Sequence, residues 1–316
     1  MKEIGGYFGF EKFEGREYYG ELIALNSARN ALLYLIKARK IKKLYIPYFM
    51  CDSVSNLCDR CSCEYEYYHI DRKFRPIFSG ELSPDEYLYI VNYYGQLKKE
   101  EIKSFKSKYV NIILDNVQAF FQIPIEGIDT IYSCRKFFGV PDGAYLSTDA
   151  RIDCEVPRGY AGDHMTHLLG RFEYNASAYY SVFKEEEMRF ETLELAEMSK
   201  ISKNILSAVS YDEVIDKRNR NYKFLDSALK DRNLLNFDFN EGPYSYPFYT
   251  ENGIEIKRKL AEKKIFIPTL WPNVLDFEGC DWEKSLAQNI LPLPIDQRYG
   301  SEDMNFMLNE VIKCIN

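Results

Sequence analysis

Short β-type segments alternate with helical segments from about residue 26 to residue 150, and this alternation constrains the fold more than any other feature of the chain. The helical segments carry apolar residues at spacings of three and four, whereas the β-type segments are short apolar runs. Such an alternation predicts a parallel or mixed sheet with helices packed on its faces. The predicted strands are 44–47, 64–68, 87–92, 110–115, 131–133 and 144–147, and the predicted helices are 28–39, 52–58 and 100–108. Asn26 and Ser27 are the alternative N-caps of the first helix.

The rest of the chain predicts a smaller unit of mixed structure. Residues 150–183 show no clear period and are interpreted as active-site loops. After them we expect helices at 184–203 and 212–230, a strand at 245–249, a helix at 253–263, a strand at 265–268 and a last helix from about 302. This pattern predicts a large domain over residues 1–205 and a small C-terminal α+β domain over residues 206–316.

Composition argues against several classes of protein. The chain has 316 residues and a formal net charge of −7, which does not suit a nucleic-acid surface because phosphate binding needs concentrated Lys and Arg. No segment approaches the roughly 18 to 20 apolar residues of a membrane span, and the first residues lack the apolar core of a secretory signal. The eight cysteines are irregularly spaced and are interpreted as reduced thiols. We therefore expect a cytoplasmic protein without nucleic-acid or membrane partners.

Two residues at the ends of consecutive predicted strands have the chemistry of a cofactor site. Asp115 ends the apolar run I-I-L-D, and Lys136 follows the next strand in a loop that ends at Gly143. An aspartate at the carboxyl edge of a parallel strand can hold a cationic ring nitrogen, and a lysine can form an imine with an aldehyde. Pyridoxal phosphate needs both, and the same lysine can later move a proton, as Arg135 cannot. The alternatives are a surface lysine in a turn and an aspartate that caps a helix.

These residues resemble the DegT/StrS-type sugar aminotransferases, which are fold-type I pyridoxal-phosphate enzymes. The resemblance rests on Asp115 and Gln118 in D-N-V-Q and on Ser133, Lys136 and Gly143 in S-C-R-K-F-F-G-V-P-D-G. It implies an α/β fold with a large parallel or mixed sheet domain and a smaller C-terminal domain. It also implies an aminotransferase that passes an amino group from a donor such as glutamate to a keto group on a nucleotide-linked sugar, as in polysaccharide biosynthesis. Sites of this fold type are normally shared between two subunits, so a homodimer is expected.

The resemblance also implies which residues contact the cofactor. Gln118 would reach its phenolic oxygen. Ser27, Ala28 and Arg29 stand where the family has Ser-Gly-Thr at the start of a helix, whose free N–H groups suit a phosphate. Arg29 lacks the hydroxyl of the threonine and would instead pair with the phosphate through its guanidinium. Ser133 is a second phosphate candidate, with a shorter spacing to the lysine than the family commonly has.

Three further residues are candidates for the faces of the site. Cys51 stands where the family has an aromatic ring that stacks on the cofactor, and either its sulfur or the ring of Phe49 could take that role. Trp271 lies in a segment similar to those that fold back over the active site in this family. We expect it either to face the substrate or to anchor domain packing.

Two rival interpretations stay open. Cys58, Cys61, Cys63 and His69 offer four zinc ligands within a short segment. Against zinc, Cys63 leads directly into a strand, where alternate side chains point to opposite faces, so no metal site is expected. The second rival is a catalytically inactive binding or scaffold protein with the same fold, and the presence of Lys136 disfavours it.

Overall fold

An eight-stranded mixed sheet forms the centre of the structure, a computed structural model that describes residues 4–315. Its strand order is β1-β8-β7-β6-β5-β2-β3-β4. The five strands β7, β6, β5, β2 and β3 are parallel, whereas β8, β1 and β4 join the two edges antiparallel. The strands are β1 Ile23–Leu25, β2 Lys43–Pro47, β3 Glu64–Ile70, β4 Pro76–Ile77, β5 Glu86–Val91, β6 Ile112–Asp115, β7 Asp129–Ser133 and β8 Ala144–Ser147.

Helices lie against this sheet and continue through the C-terminal part of the chain. A second, two-stranded antiparallel sheet pairs β9 Tyr246–Tyr249 with β10 Ile290–Leu293. Within the described residues the helices are α1 Ala28–Arg39, α2 Ser53–Cys61, α3 Lys99–Tyr109, α4 Thr166–Glu173, α5 Tyr180–Thr192, α6 Lys200–Ser207, α7 Tyr211–Leu229, α8 Gly253–Glu262, α9 Asp281–Asn289 and α10 Ser301–Ile315. None of these helices is long and apolar enough to cross a bilayer.

Burial on both faces explains why the central strands are so apolar. All four residues of β6, Ile112–Asp115, are buried, and so are all five of β7, Asp129–Ser133. Parallel strands covered by helices on both sides have this composition. Ser27 begins α1 as its N-cap, because its Oγ accepts a hydrogen bond from the N–H of Asn30 at 3.1 Å. The sequence had left Asn26 and Ser27 as alternatives for this cap.

The C-terminal part has a core of its own. Apolar residues of α7, α8, α10, β9 and β10 pack together, among them Leu225, Leu260 and Met304. Helix α9 instead contributes Leu286 and Ala287 to the core of the large sheet. The predicted boundary at residue 205 stays a prediction.

The largest difference from the predicted elements lies between residues 150 and 205. Residues interpreted there as loops form α4 and the start of α5, and the single helix expected over 184–203 is interrupted between α5 and α6. The interruption has a physical reason. Residues 196–198 run beside β1, where the N–H of Asn26 donates to the carbonyl of Ala196 and the N–H of Met198 donates to that of Ala24. These long-range hydrogen bonds outweigh local helix propensity.

Two other differences concern the C-terminal part. The strand predicted at 265–268 is absent from the described structure, because the N–H of Ile265 donates back to the carbonyl of Leu260 and closes α8. Pro268 also has no N–H to offer a neighbouring strand. Helix α9 was not predicted.

Lys257 of α8 gives a test of the second core. Its side chain is buried, its Nζ donates to the carbonyl of Ala287 at 3.3 Å, and burial lowers its pKa from 10.5 to about 8. The unfolded chain therefore binds more protons between these pH values, so the free energy of unfolding should rise as the pH rises from about 8 to 10.5. We expect Lys257→Met to stabilise the protein at pH 7 by up to about 3 kcal/mol and to remove this rise.

Urea unfolding at pH 7 and pH 9.5 measures both effects. Lys259→Met is the matched control, because Lys259 lies on the same helix with a half-exposed side chain. Equal pH dependence in both variants would contradict the assignment of the rise to Lys257.

Candidate active site

The carboxyl ends of four parallel strands bring the candidate residues to one edge of the large sheet. β2, β5, β6 and β7 are parallel neighbours in this region, and Asp115 pairs with Val91 on one side and Ile131 on the other. Residues that follow these strands therefore meet above the same edge. Ligands of open α/β sheets bind in this position.

Asp115 is held in a buried position by two hydrogen bonds. The hydroxyl of Tyr89 donates to its Oδ2 at 2.7 Å, and the N–H of Val117 donates to its Oδ1 at 2.9 Å. Burial raises the pKa of Asp115, and these two donors and the positive charge of Lys136 act in the opposite direction. A carboxylate offers about four acceptor positions, so the two protein donors leave room for a third.

Lys136 is near enough to Asp115 for its charge to act on that carboxyl group. It ends a 3-10 turn, Cys134–Lys136, that directly follows β7. Its Nζ lies 5.9 Å from the centre of the Tyr244 ring. Arg135, one residue earlier, is held elsewhere by an ion pair with Glu187 of α5. The turn thus places its two cations near different carboxylates, Arg135 near Glu187 and Lys136 near Asp115.

The oxygen and the nitrogen of the Gln118 side-chain amide differ in their hydrogen bonding. It is 1 % exposed, and its Oε1 accepts a hydrogen bond from the N–H of Tyr94 at 2.9 Å. Its Nε2 is buried without a hydrogen-bond partner among residues 4–315, and the hydroxyl of Tyr94 is in the same state. Buried donors without partners are costly and occur preferentially where a ligand completes them.

The N-terminus of α1 is tied to the lysine loop through Gly143. The N–H of Gly143 donates to the carbonyl of Asn26 at 2.9 Å, and its own carbonyl accepts from the N–H of Cys134 at 3.0 Å. Gly143 has a φ of +127°, and a Cβ there would lie 3.2 Å from the side chains of Cys134 and Met198. Only glycine fits this link, which holds the first turn of α1 beside the end of β7.

Four candidate phosphate-binding residues lie at these two segment ends. Ser27 caps α1, and the N–H groups of Ala28 and Arg29 belong to its first turn, which has no acceptor within the helix. Ser133 is the buried last residue of β7. The Arg29 side chain borders a small cavity with Asp52 and other residues of the α2 region, and its Nη1 is buried without a partner in the described part of the chain.

The two candidates for a ring-stacking role differ in burial. Phe49 is fully buried and packs against Tyr93 at 5.4 Å and Trp271 at 5.0 Å between ring centres. These contacts hold the Phe49 ring in the core, and the Trp271 ring packs against it. Cys51 is half-buried, and its thiol donates to Asp52 Oδ1 at 3.4 Å.

The four-ligand zinc set considered from the sequence is contradicted by the structure. The thiol of Cys58 hydrogen-bonds to Cys63, which directly precedes β3. His69 lies near the other end of that strand, and six extended residues span about 20 Å. His69 instead contacts Glu283, which the sequence analysis did not consider.

Sequence reasoning also missed Arg218 of α7, which links the C-terminal part to the lysine loop. It is 1 % exposed. Its guanidinium donates to the carbonyls of Pro243 at 3.0 Å, Tyr244 at 3.2 Å and Phe137 at 3.4 Å, and to Gln297 Oε1 at 3.1 Å. Phe137 directly follows Lys136, so Arg218 acts as a positioning residue for the loop. No local motif marks such a residue, since its partners are distant in sequence.

We expect Arg218→Lys to lower the free energy of unfolding by about 3 kcal/mol. Lysine lacks the planar fork of donors and leaves buried carbonyls unsatisfied, each at a cost of about 1 to 3 kcal/mol. Urea unfolding measures the change. Arg220→Lys is the matched control, because Arg220 is an exposed residue of the same helix. Similar losses in the two variants would contradict this role.

Comparison with known proteins gives similarity in structure but not in sequence. No protein-family model matches the chain, and no curated protein matches it significantly. Three solved structures illustrate the structural similarity. A DegT DnrJ EryC1 StrS aminotransferase from Brucella abortus has a TM-score of 0.62 at 12 % identity, covering 93 % of this chain and 86 % of its own. DesV from S. venezuelae, in complex with a ketimine intermediate, has a TM-score of 0.64 at 15 % identity, covering 93 % and 84 %. NtdA from Bacillus subtilis, with bound PMP, has a TM-score of 0.65 at 14 % identity, covering 93 % and 73 %.

These matches confirm the fold class expected from the sequence. The structural neighbours include DegT/StrS-type aminotransferases, and each match extends over most of this chain. At identities of 12 to 15 % the similarity establishes the architecture and leaves the chemistry to be argued from the residues. The chain has the fold of the fold-type I pyridoxal-phosphate aminotransferases.

Proposed function

We propose that the protein is a pyridoxal-phosphate-dependent aminotransferase with Lys136 as its catalytic residue. The observation that carries the proposal is the proximity of Lys136 and Asp115 at the carboxyl edge of β6 and β7. In this fold such an edge is where a ligand binds. The amine supplies the nucleophile and the carboxylate supplies the counter-charge that this cofactor needs.

The residues around this pair suit the cofactor in charge and in hydrogen-bonding capacity. Asp115 keeps an acceptor position for a protonated ring nitrogen, and Gln118 keeps an unpartnered donor, Nε2, for the phenolic oxygen. Ser27, Ala28 and Arg29 at the start of α1 would hold the phosphate, with Ser133 as a further donor. Cys51 would lie against the ring face. When bound, the cofactor supplies an electron sink for the carbon from which a proton is removed.

Lys136 has a second task in this proposal, which is proton transfer. In its neutral form Nζ accepts a proton from the substrate carbon that bears the amino group, and in its charged form it returns a proton. Arg218 supports the task indirectly, because it binds the carbonyl of Phe137 and so fixes the direction of the turn that carries Lys136. Gln297 Nε2 donates to the same carbonyl at 2.7 Å.

We further propose glutamate as amino donor and a keto group on a nucleotide-linked sugar as acceptor, for use in polysaccharide biosynthesis. The fold shared with sugar aminotransferases supports this choice.

Incubation of the purified protein with pyridoxal phosphate and ¹⁵N-glutamate should release 2-oxoglutarate in one equivalent per chain. Addition of a nucleotide-linked ketosugar should then give a ¹⁵N-labelled aminosugar. Release of no keto acid from any amino acid would favour the inactive scaffold interpretation.

The proposed assembly is a homodimer. The hairpin of α4 and α5, with the residues just before it, exposes large apolar side chains to a degree that is unusual for a free surface. They are Tyr160, Leu169, Phe172, Tyr174, Tyr180 and Met188.

Light scattering should give a mass of two chains at micromolar concentration. Phe172→Asp, at a residue that is 86 % exposed, should shift the measured mass toward that of one chain. Exposed Ile123→Asp is the control, and a monomeric wild type would contradict the proposal.

We also propose a cytoplasmic location. All eight cysteines lie within the described residues and carry free thiols. Such thiols suit a reducing compartment. Fractionation of producing cells tests the location, and recovery of the protein outside the cytoplasm would contradict it.

A further inference from the structure

His69, Cys280 and Glu283 converge at a second place in the molecule that has no part in the proposed transamination. One ligand-type atom from each side chain lies within 4.8 Å of those of the other two. Two of these residues come from the start of α9, and the third lies near the end of β3, more than two hundred residues earlier. We propose that this cluster is a zinc-binding site.

The three side chains provide the ligand types that zinc takes in proteins. Thiolate sulfur, imidazole nitrogen and carboxylate oxygen all bind Zn²⁺ at about 2.0 to 2.3 Å, and tetrahedral ligands are then roughly 3.3 to 3.8 Å apart. His69 Nδ1 and Glu283 Oε1 are already 3.2 Å apart. Closing the remaining separation requires only small side-chain movements, and the His69 side chain is 46 % exposed and so has room to move.

The environment of Glu283 gives an independent reason for a cation. Its side chain is 2 % exposed, and its Oε1 accepts a hydrogen bond from the N–H of Ile70 at 3.0 Å. The two groups that contact this oxygen, a backbone amide and an imidazole, carry no permanent positive charge. Removing a carboxylate from water is costly unless an opposite charge compensates it. A bound Zn²⁺ would supply that charge.

Cys280 is placed to serve as a thiolate ligand. It is buried, it immediately precedes α9, and it lies three residues before Glu283, so the two side chains share one face of the helix start. Because zinc binds the thiolate form of cysteine, binding would release the thiol proton of Cys280.

Strand pairing and aromatic packing surround the cluster. His69 pairs with Ile77 of β4, and the ring of Tyr48 packs 4.7 Å from the His69 ring. Phe277 in turn packs on Tyr48 at 5.3 Å. Three protein ligands leave one position of a tetrahedral ion for water, which can reach it past the exposed side of His69. The ion would join the end of β3 to α9.

Zinc content and affinity of the purified, cofactor-loaded full chain test this proposal. After dialysis against Zn²⁺ and removal of excess metal, elemental analysis should give one zinc per chain. Competition with a chromophoric chelator should show at least about tenfold weaker binding in His69→Ala and in Cys280→Ser, since each loses a direct ligand. Cys154→Ser, at an exposed cysteine, is the matched control and should keep wild-type affinity.

Two further measurements keep the test independent of catalysis and of folding defects. Co²⁺ should give a thiolate charge-transfer band in the wild type and in Cys154→Ser, and none in Cys280→Ser. Zn²⁺ should raise the melting temperature of the wild type but not of His69→Ala, whose partly exposed position tolerates truncation. A wild type without stoichiometric zinc, or variants that bind it as tightly as the wild type, would overturn the proposal. Neither result would affect the proposed transamination.

Discussion

Replacing Lys136 with alanine should lower the rate of amino transfer by about 10⁴-fold or more. General acid–base catalysis by one positioned group contributes about 10² to 10⁴, and the same substitution also removes the nucleophile that attaches the cofactor. The variant should still fold, because Lys136 is partly exposed and its interactions with Asp115 and with the Tyr244 ring are electrostatic. The release of 2-oxoglutarate from glutamate, measured in single-turnover experiments, gives the rate.

The control for this variant is Lys257→Met. Lys257 is a buried lysine whose pKa is lowered to about 8, so part of its amine is neutral near neutral pH and is a possible alternative nucleophile. It lies in α8, packed under α9, where it bonds to Ala287. Amino transfer should persist in Lys257→Met. Retention of full activity in Lys136→Ala, or loss of it in Lys257→Met alone, would contradict the assignment.

Replacing Asp115 with asparagine should lower the same rate by about 10²-fold or more while the fold remains at least as stable. The activity falls because a neutral amide cannot hold a protonated ring nitrogen by a charge-assisted hydrogen bond, and the loss of one preorganised electrostatic contact costs about 10² to 10³. Stability should not fall, because burial raises the pKa of Asp115. A raised carboxyl pKa means that the folded state disfavours the charge, and this cost grows as the pH rises above the ordinary value of 3.8.

Activity and thermal unfolding measured on one preparation at pH 7.5 separate these two effects. Tyr89→Phe is the matched variant, because it removes the hydroxyl that donates to Asp115 at 2.7 Å but keeps the carboxylate. It should lose less activity than Asp115→Asn. If Asp115→Asn loses stability and activity together, the aspartate is a structural residue and its proposed role is wrong.

The central sheet could be predicted from the sequence because its strands are buried on both faces. β2, β5 and β6 begin and end within two residues of the predicted bounds. Each of these strands is an apolar run between turn signals, so local composition carries most of the information. The proximity of Asp115 and Lys136 could be predicted for a related reason. β6 and β7 are consecutive and parallel, so their carboxyl ends must meet at one edge.

Long-range contacts explain what could not be predicted. β1 has only three residues, and it forms because β8 pairs with it from more than one hundred residues away. Arg218 reaches Phe137 across 81 residues, and no spacing rule connects them. His69 is a second example of a contact that sequence spacing does not reveal. The sequence places His69 near Cys58, Cys61 and Cys63, whereas the fold places it beside Cys280 and Glu283.

The most direct test of the central claim is reduction of the cofactor-loaded protein with borohydride, followed by peptide mapping. Borohydride converts the bond between a lysine amine and pyridoxal phosphate into a stable secondary amine, which marks the lysine permanently. We expect one label per chain, on Lys136, in the wild type and in Lys257→Met. A stoichiometric label on any other lysine, or no label at all, would contradict this expectation.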